Sequence, residues 1–199
     1  MIGAQGGAAA PHGMGEMTVD QEFEQAEDIF RAIPEIAEDM TARPNGEASE
    51  AFLTALQNSP TPEEAITFCA YLLPSRQAVW WGHECLIHEQ DRLTPRDQEM
   101  LALARDWVAR LDEESRYAAL DAAMDSPQKS PGVWIAMAAG CAAGSLAPPD
   151  QPNVAAAPHL TPRAINAGVL SVLARVETDA RHKTIVDFSR MGLHILHEA

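Results

Sequence analysis

Apolar residues recur every three or four positions along most of the chain, the period of a helix with one buried face. Met100, Ala104, Trp107, Val108 and Leu111 fall on one such stripe, and Ile165, Val169, Val172, Leu173 and Val176 on a second. Ala180, Thr184, Ile185, Phe188, Met191, Ile195 and Leu196 trace a third. Near the start, Phe23, Ala26, Ile29, Phe30 and Ile33 predict an acidic amphipathic helix that Pro34 ends or kinks. Shorter helices are expected over 47–58 and 112–124. No comparable run alternates with period two, so no sheet is predicted. The stretch VWIAMAAGCAA at 133–143 is apolar or small on every side, as suits a central, buried helix. Gly140 and Gly144, four residues apart, would let a neighbouring backbone come close.

One helix-start device occurs four times: Thr61-Pro62, Thr94-Pro95, Ser130-Pro131 and Thr161-Pro162. A hydroxyl can cap the first free N–H groups, and proline fits the first helical position, where its missing N–H would have no partner anyway. Thr61 followed by Glu64 also matches a capping box. The four starts lie 33, 36 and 31 residues apart, within the range of helical-hairpin repeats, although the intervening residues do not align. The expected fold is therefore all-α: a compact multi-helix array of helical hairpins, with solenoid-like stacking as the open alternative. A Gly/Ala-rich tail at 1–18 is expected to be disordered, ahead of a single helical domain at 19–199. A proline-rich connector at 145–162 exceeds the length of ordinary loops, about 12–15 residues. It either lies extended across the surface or links two helical halves.

Charge narrows the partners. The 199-residue chain carries 14 Lys and Arg against 29 Asp and Glu, a formal net charge of -15. That balance argues against nucleic acid, whose condensed counterions must be replaced by cations, and against anionic membrane surfaces. A basic protein partner, or solubility alone, fits better. Eleven carboxylates between 16 and 50 face only Arg31 and Arg43, so more than half the excess sits there. This stretch reads either as a solvated helix face or as a docking surface for a basic partner. Three cysteines without paired spacing point to a reducing compartment. The start has no basic region followed by a long apolar run, and the longest apolar stretch is too short to span a bilayer. The expected location is cytoplasmic.

Candidate chemistry is sparse. WWGHECLIHE at 80–89 looks at first like a zinc-protease helix, but that motif needs its histidines at i and i+4. His83 and His88 are five apart and lie about 140° apart around a regular helix, at 3.6 residues per turn. Glu84 and His88, at i and i+4, are placed to pair instead. Trp81, Cys85 and His88 share a stripe that reads as core edged by a histidine, and Arg76 and His83 share another. Free cysteine is more often a small buried residue than a nucleophile. His194 and His197 sit near the chain end, where histidine suits the negative end of a helix dipole. Phosphate loops, zinc-spaced cysteine pairs and nucleophile elbows do not occur. No catalytic residue, metal ligand or cofactor is therefore assigned, and the chain is not read as an enzyme.

Three stretches carry a resemblance: LPSRQAVWW at 73–81, GSLAPPD at 144–150 and PHLTPRA at 158–164. Together they resemble an uncharacterised, chiefly proteobacterial all-helical family whose members are encoded among accessory genes of type VI secretion clusters, near spike and adaptor components. The resemblance covers approximately residues 56–196 and leaves the acidic start outside. It implies a cytoplasmic accessory, adaptor or chaperone-like protein that binds another protein, basic or a secretion effector or spike component. Arg76, Trp80 and Trp81, then His159 and Arg163, are the candidate binding residues, since aromatic and arginine anchors carry most interface energy. The competing reading places both tryptophans in the core with the Arg76 stem packed beside them. An immunity protein that binds a toxin is an alternative form of the interaction reading. A metal-dependent hydrolase using His83, Glu84 and His88 is the alternative of a different class.

Overall fold

The structure is a computed structural model that describes residues 23–148 and 150–198. The expected tail at 1–18, and residues 19–22 after it, lie outside the described residues. Ten α-helices follow in order: α1 Ala26–Ala32, α2 Ile36–Asp39, α3 Ser49–Gln57, α4 Glu64–Leu72, α5 Ser75–His88, α6 Pro95–Arg110, α7 Glu113–Met124, α8 Pro131–Cys141, α9 Leu160–Leu173 and α10 Thr178–His197. Among the described residues there is no strand, only the isolated bridges Gln25–Ala48 and Ser145–Ala155. The fold is all-α, as the periodicity predicts.

The hydroxyl-proline starts divide two and two. Thr94 caps α6 as expected: its side chain accepts from the Asp97 amide at 3.2 Å, and the Asp97 carboxylate takes the Thr94 amide in return at 3.0 Å. Ser130 precedes α8 with Pro131 as the first helical residue, but its hydroxyl caps nothing. At Thr61 the expected capping box does not form. α4 begins at Glu64 after a turn, and the Glu64 carboxylate instead takes the amides of Thr41 at 2.6 Å and Ala42 at 3.1 Å. At the fourth site α9 starts at Leu160, so Thr161 and Pro162 lie inside its first turn and are buried.

α8 is the centre of the assembly. It packs against α5, α6, α7 and α9, and Val133, Ile135, Ala136, Ala138 and Ala139 have at most 1% exposure. The hydrophobic core that surrounds it is continuous from Ala26 to Phe188. Contacts of α8 with α5, and of α10 with α3 and α4, skip sequence neighbours. A linear stack of repeats would not make them, so the compact alternative is the one realised.

Both ends of α8 are tied by buried charged side chains. At its N-terminus the Gly132 amide donates to the fully buried Asp97 carboxylate at 2.9 Å. No side chain fits at 132, because a Cβ there would collide with the Asp97 backbone carbonyl. At its C-terminus the fully buried Arg116 donates to the Gly140 carbonyl at 2.8 Å. The same guanidinium forks onto Glu113 at 2.9 and 2.6 Å and lies 4.1 Å over the Tyr117 ring. A negative group at the positive helix end and a cation at the negative end both oppose the helix dipole. Gly140 brings α8 within Cβ-contact distance of the Leu120 backbone, as its small size predicts. Gly144 has a different role: it turns the chain with a φ of +63 beneath Arg116.

Burial works against ionisation of Asp97, yet its carboxyl is held below the ordinary carboxylate range. The Ser130 hydroxyl beside it makes no bond of good geometry and helps only as a nearby dipole; the Thr94 and Gly132 amides and the Thr94 hydroxyl supply the rest. Arg175 stands 4.0 Å away and favours the anion too. Asp97→Ala removes a cap and strands a buried amide, and should lower unfolding free energy by about 3 kcal/mol in a urea titration. A depressed folded pKa means this stabilisation is present above the unfolded carboxylate pKa and is lost as pH falls through the folded one. The gap between wild type and variant should therefore narrow in acid.

Candidate functional site

The candidate residues fall into two places. Around α5, Arg76 and Trp80 are one helical turn apart and share a face, while Trp81 points the other way. Trp81 is completely buried and donates its indole N–H to the Phe188 carbonyl at 2.9 Å, so it belongs to the core and not to a binding surface. Trp80 is half-buried and stacks on the His83 ring, centroids 5.0 Å apart. Arg76 is exposed and reaches across to α6, where its Nε donates to the Val108 carbonyl at 3.1 Å. Arg76, Gln77 and Trp80 from α5, with Arg105, Val108 and Ala109 from α6, line a cleft of about 360 Å³.

The histidines on this helix do not converge. α5 runs unbroken from Ser75 to His88, which keeps His83 and His88 about 140° apart. Each ring takes its neighbour: His83 meets Glu84 at 2.9 Å, and His88 meets Glu89 at 3.1 Å in place of the expected Glu84. His88 also lies edge-on to Phe188, so the Trp81–Cys85–His88 stripe is core edged by a histidine, as predicted. Burial pushes the thiols of Cys69 and Cys85 well above their ordinary range, which leaves neither as a nucleophile at neutral pH. His194 faces Glu198 at 3.1 Å and His197 faces Glu50 at 2.7 Å, on different carboxylates. Among the described residues no three His, Cys, Asp or Glu side chains are grouped to hold a metal ion.

The second place is the start of α9, where the acidic segment docks. Arg163 donates to both Asp39 oxygens at 3.1 and 2.8 Å and to Glu38 at 2.8 Å. Asp39 also accepts from the Tyr71 phenol, whose pKa is raised by burial and by that carboxylate. His159 lies 3.3 Å from Glu35. Hydrogen bonds to Asp39 and Glu38 hold the Arg163 guanidinium more firmly protonated than usual. The described carboxylates of the acidic stretch are exposed or half-buried. Several of its carboxylates are held by the chain's own cations and amides.

Beside Arg163 opens an apolar groove of about 490 Å³. Leu120 and Met124 of α7, Trp134 and Met137 of α8, and Leu160 of α9 form its walls, with Leu146 closing one side and Asp121 on the rim. Met124 is 62% exposed, and Trp134 and Met137 are half-buried. Leu146 is held by a small hairpin: the Ser145–Ala155 bridge, the Leu146 amide on the Val154 carbonyl at 2.8 Å, and the Ser145 hydroxyl accepting from Ala147 and Val154. Tyr117 pins the same hairpin through the Ala147 carbonyl at 2.7 Å. The connector therefore lies folded against the helices rather than separating two halves. Two of the three familiar stretches, GSLAPPD and PHLTPRA, meet at this groove through Leu146, Leu160 and Arg163.

Sequence reasoning missed Met124, Trp134 and Met137. The signal was present, because Trp134, Met137 and Cys141 follow one helical stripe, and Trp134 and Met137 are its longest side chains. Apolar patterning marks such a stripe without saying whether another helix covers it.

The chain belongs to the family of unknown function DUF6931, which matches residues 52–196. No curated protein and no solved structure matches it. The matched span contains both Arg76 and Arg163 and leaves α1, α2 and the start of α3 outside. The acidic segment is thus docked from outside the matched span onto an arginine within it. Arg163→Ala should free it: limited proteolysis is expected to cut between 33 and 48 several-fold faster than in wild type. The global stability should fall by no more than about 1 kcal/mol, because the pairs are partly solvated.

Proposed function

We propose that this DUF6931 member is a protein-interaction module whose apolar groove docks an amphipathic segment of a partner protein. The observation that carries this reading is the groove itself: methionine, tryptophan and leucine side chains line a cavity of about 490 Å³ on an otherwise acidic molecule. Flexible methionine surfaces accommodate apolar side chains of varied shape, and groove docking of an apolar helix face is a recurrent mode of recognition. Charge indicates the partner's other face. Asp121 stands on the rim, Arg163 is already neutralised by Asp39 and Glu38, and the chain as a whole carries -15. A segment with apolar anchors flanked by lysine or arginine fits that field.

The resemblance of the 73–81, 144–150 and 158–164 stretches supports a more specific role. On that reading the chain is a cytoplasmic adaptor or chaperone-like accessory of type VI secretion, and the docked segment belongs to an effector or spike component. No described helix is long and apolar enough to cross a membrane, which is compatible with such a role.

The test is capture of partners from the native host by tagged chain, at about 0.05 and 0.3 M salt, a span that shortens electrostatic range about 2.4-fold. A partner with a basic amphipathic segment should be recovered in larger yield at low salt. Met124→Arg, at a site that is 62% exposed, should reduce recovery at least tenfold without altering thermal unfolding. Leu111→Arg adds the same charge at another exposed apolar site and should leave recovery unchanged. Equal recovery by the Met124 variant, or no specific partner at either salt, would overturn the proposal.

A further inference from the structure

The cleft between α5 and α6 has a chemistry opposite to that of the groove, and the groove proposal makes no use of it. Its apolar lining consists of the half-buried Trp80 and Val108 and the exposed Ala109. Its mouth carries two exposed arginines, Arg76 and Arg105. In a chain with twice as many carboxylates as cations, two arginines facing one cleft are notably under-neutralised. Among the described residues Arg76 meets no carboxylate, and its one hydrogen bond, from Nε to the Val108 carbonyl, leaves the two terminal nitrogens of the guanidinium without a partner. Arg105 reaches only its exposed neighbour Asp106, at 3.4 Å. Gln77 lines the same cleft, and its amide oxygen is shut away from solvent without any donor.

We infer that this cleft captures the free C-terminus of a partner polypeptide ending in an apolar residue. Each part of the cleft answers one group of such an end. The Arg76 guanidinium, held in place through Nε, keeps a planar pair of N–H donors for a carboxylate, the geometry in which arginine is most selective. Arg105 adds a second positive charge at the mouth. The terminal side chain lies on Trp80, Val108 and Ala109. The terminal residue's own N–H supplies the donor that the Gln77 oxygen lacks, and turning that amide toward it breaks no existing bond at the oxygen. An internal Asp or Glu sets its backbone N–H one or two bonds farther from the carboxylate, and lets it swing more freely, which favours a chain end. The size of the cleft, about 360 Å³, also suits the end of a chain better than a helix. Because Arg76, Gln77 and Trp80 all come from the LPSRQAVWW stretch, this reading gives that stretch a chemical role that packing alone does not.

The experiment is fluorescence anisotropy of the full chain with a dye-labelled, otherwise uncharged hexapeptide, Gly-Ser-Gly-Ser-Ala-Phe. Three forms are compared: the free acid, the C-terminal amide, and an amide form with internal Asp in place of Ala. The free acid is expected to bind below about 1 mM, the weak end of specific recognition. The amide should bind at least tenfold more weakly, and so should the internal-Asp form. Arg76→Gln should weaken the free acid at least tenfold and abolish the difference between acid and amide, while Arg105→Gln should weaken it severalfold and preserve that difference. Met124→Arg, in the separate groove, should leave free-acid binding intact, so failure of the groove proposal and failure of this one are read independently. No binding of the free acid, equal binding of acid and amide, or equal binding of the internal-Asp form would each overturn the inference.

Discussion

Two helix starts share one buried carboxylate, and the rest of the architecture depends on it. Asp97 closes the first turn of α6 through Thr94 and holds the Gly132 amide in the first turn of α8. At the far end of α8, Arg116 from α7 takes the Gly140 carbonyl. A helix that is apolar or small all round has little amphipathic pattern to orient it, because any face can be buried. The two charged ties supply what the pattern lacks. They fix the position of α8 along its axis, and with it which residues meet α9 and which remain outside. Ile135 faces inward, whereas Trp134 and Met137 are left at the groove. The groove is therefore formed before any partner arrives, which reduces the ordering that binding would otherwise require.

Electrostatics divides the molecule in a way the net charge conceals. The acid-rich start is drawn onto Arg163 and His159 across more than a hundred residues of sequence, and onto the nearer Tyr71, while Arg43 holds the loop after α2 through the carbonyls of Ala37, Met40, Thr41 and Ala42. Neutralising Arg163 in this way leaves the groove rim acidic. Arg76 and Arg105, by contrast, retain their charge at the α5–α6 cleft. Two surfaces of opposite preference follow from where the few cations are placed, not from how many there are.

The helices were legible in the sequence because their apolar stripes are long and regular, and Thr94-Pro95 marked a boundary correctly because its third residue, Asp97, can return the cap. Thr61-Pro62 misled for a physical reason: Glu64 finds better donors in the amides of Thr41 and Ala42 than in Thr61, and a local motif cannot register a distant competitor. Thr161 and Pro162 misled because proline is tolerated throughout a helix's first turn, so it marks the start only to within a few residues. Of the candidate site residues, Trp80 and Trp81 are adjacent in sequence and about 100° apart around the helix, and only the helix phase relative to α10 decides which of them is buried. His159 and Arg163 were read as binding anchors for a partner, and their partners within the chain, Glu35, Glu38 and Asp39, were invisible without the fold. The groove was missed because hydrophobic pattern reports burial against something and never says what.

If α8 is fixed at both ends, the groove is rigid and its walls open only when the whole domain unfolds. Residue-resolved amide hydrogen exchange on the free chain tests this most directly. The amides of α8, Gly132 included, are predicted to exchange only through global unfolding, with the free energy that denaturant unfolding reports. Exchange of α8 by local opening, at a free energy as low as that of α1 and α2, would contradict the account.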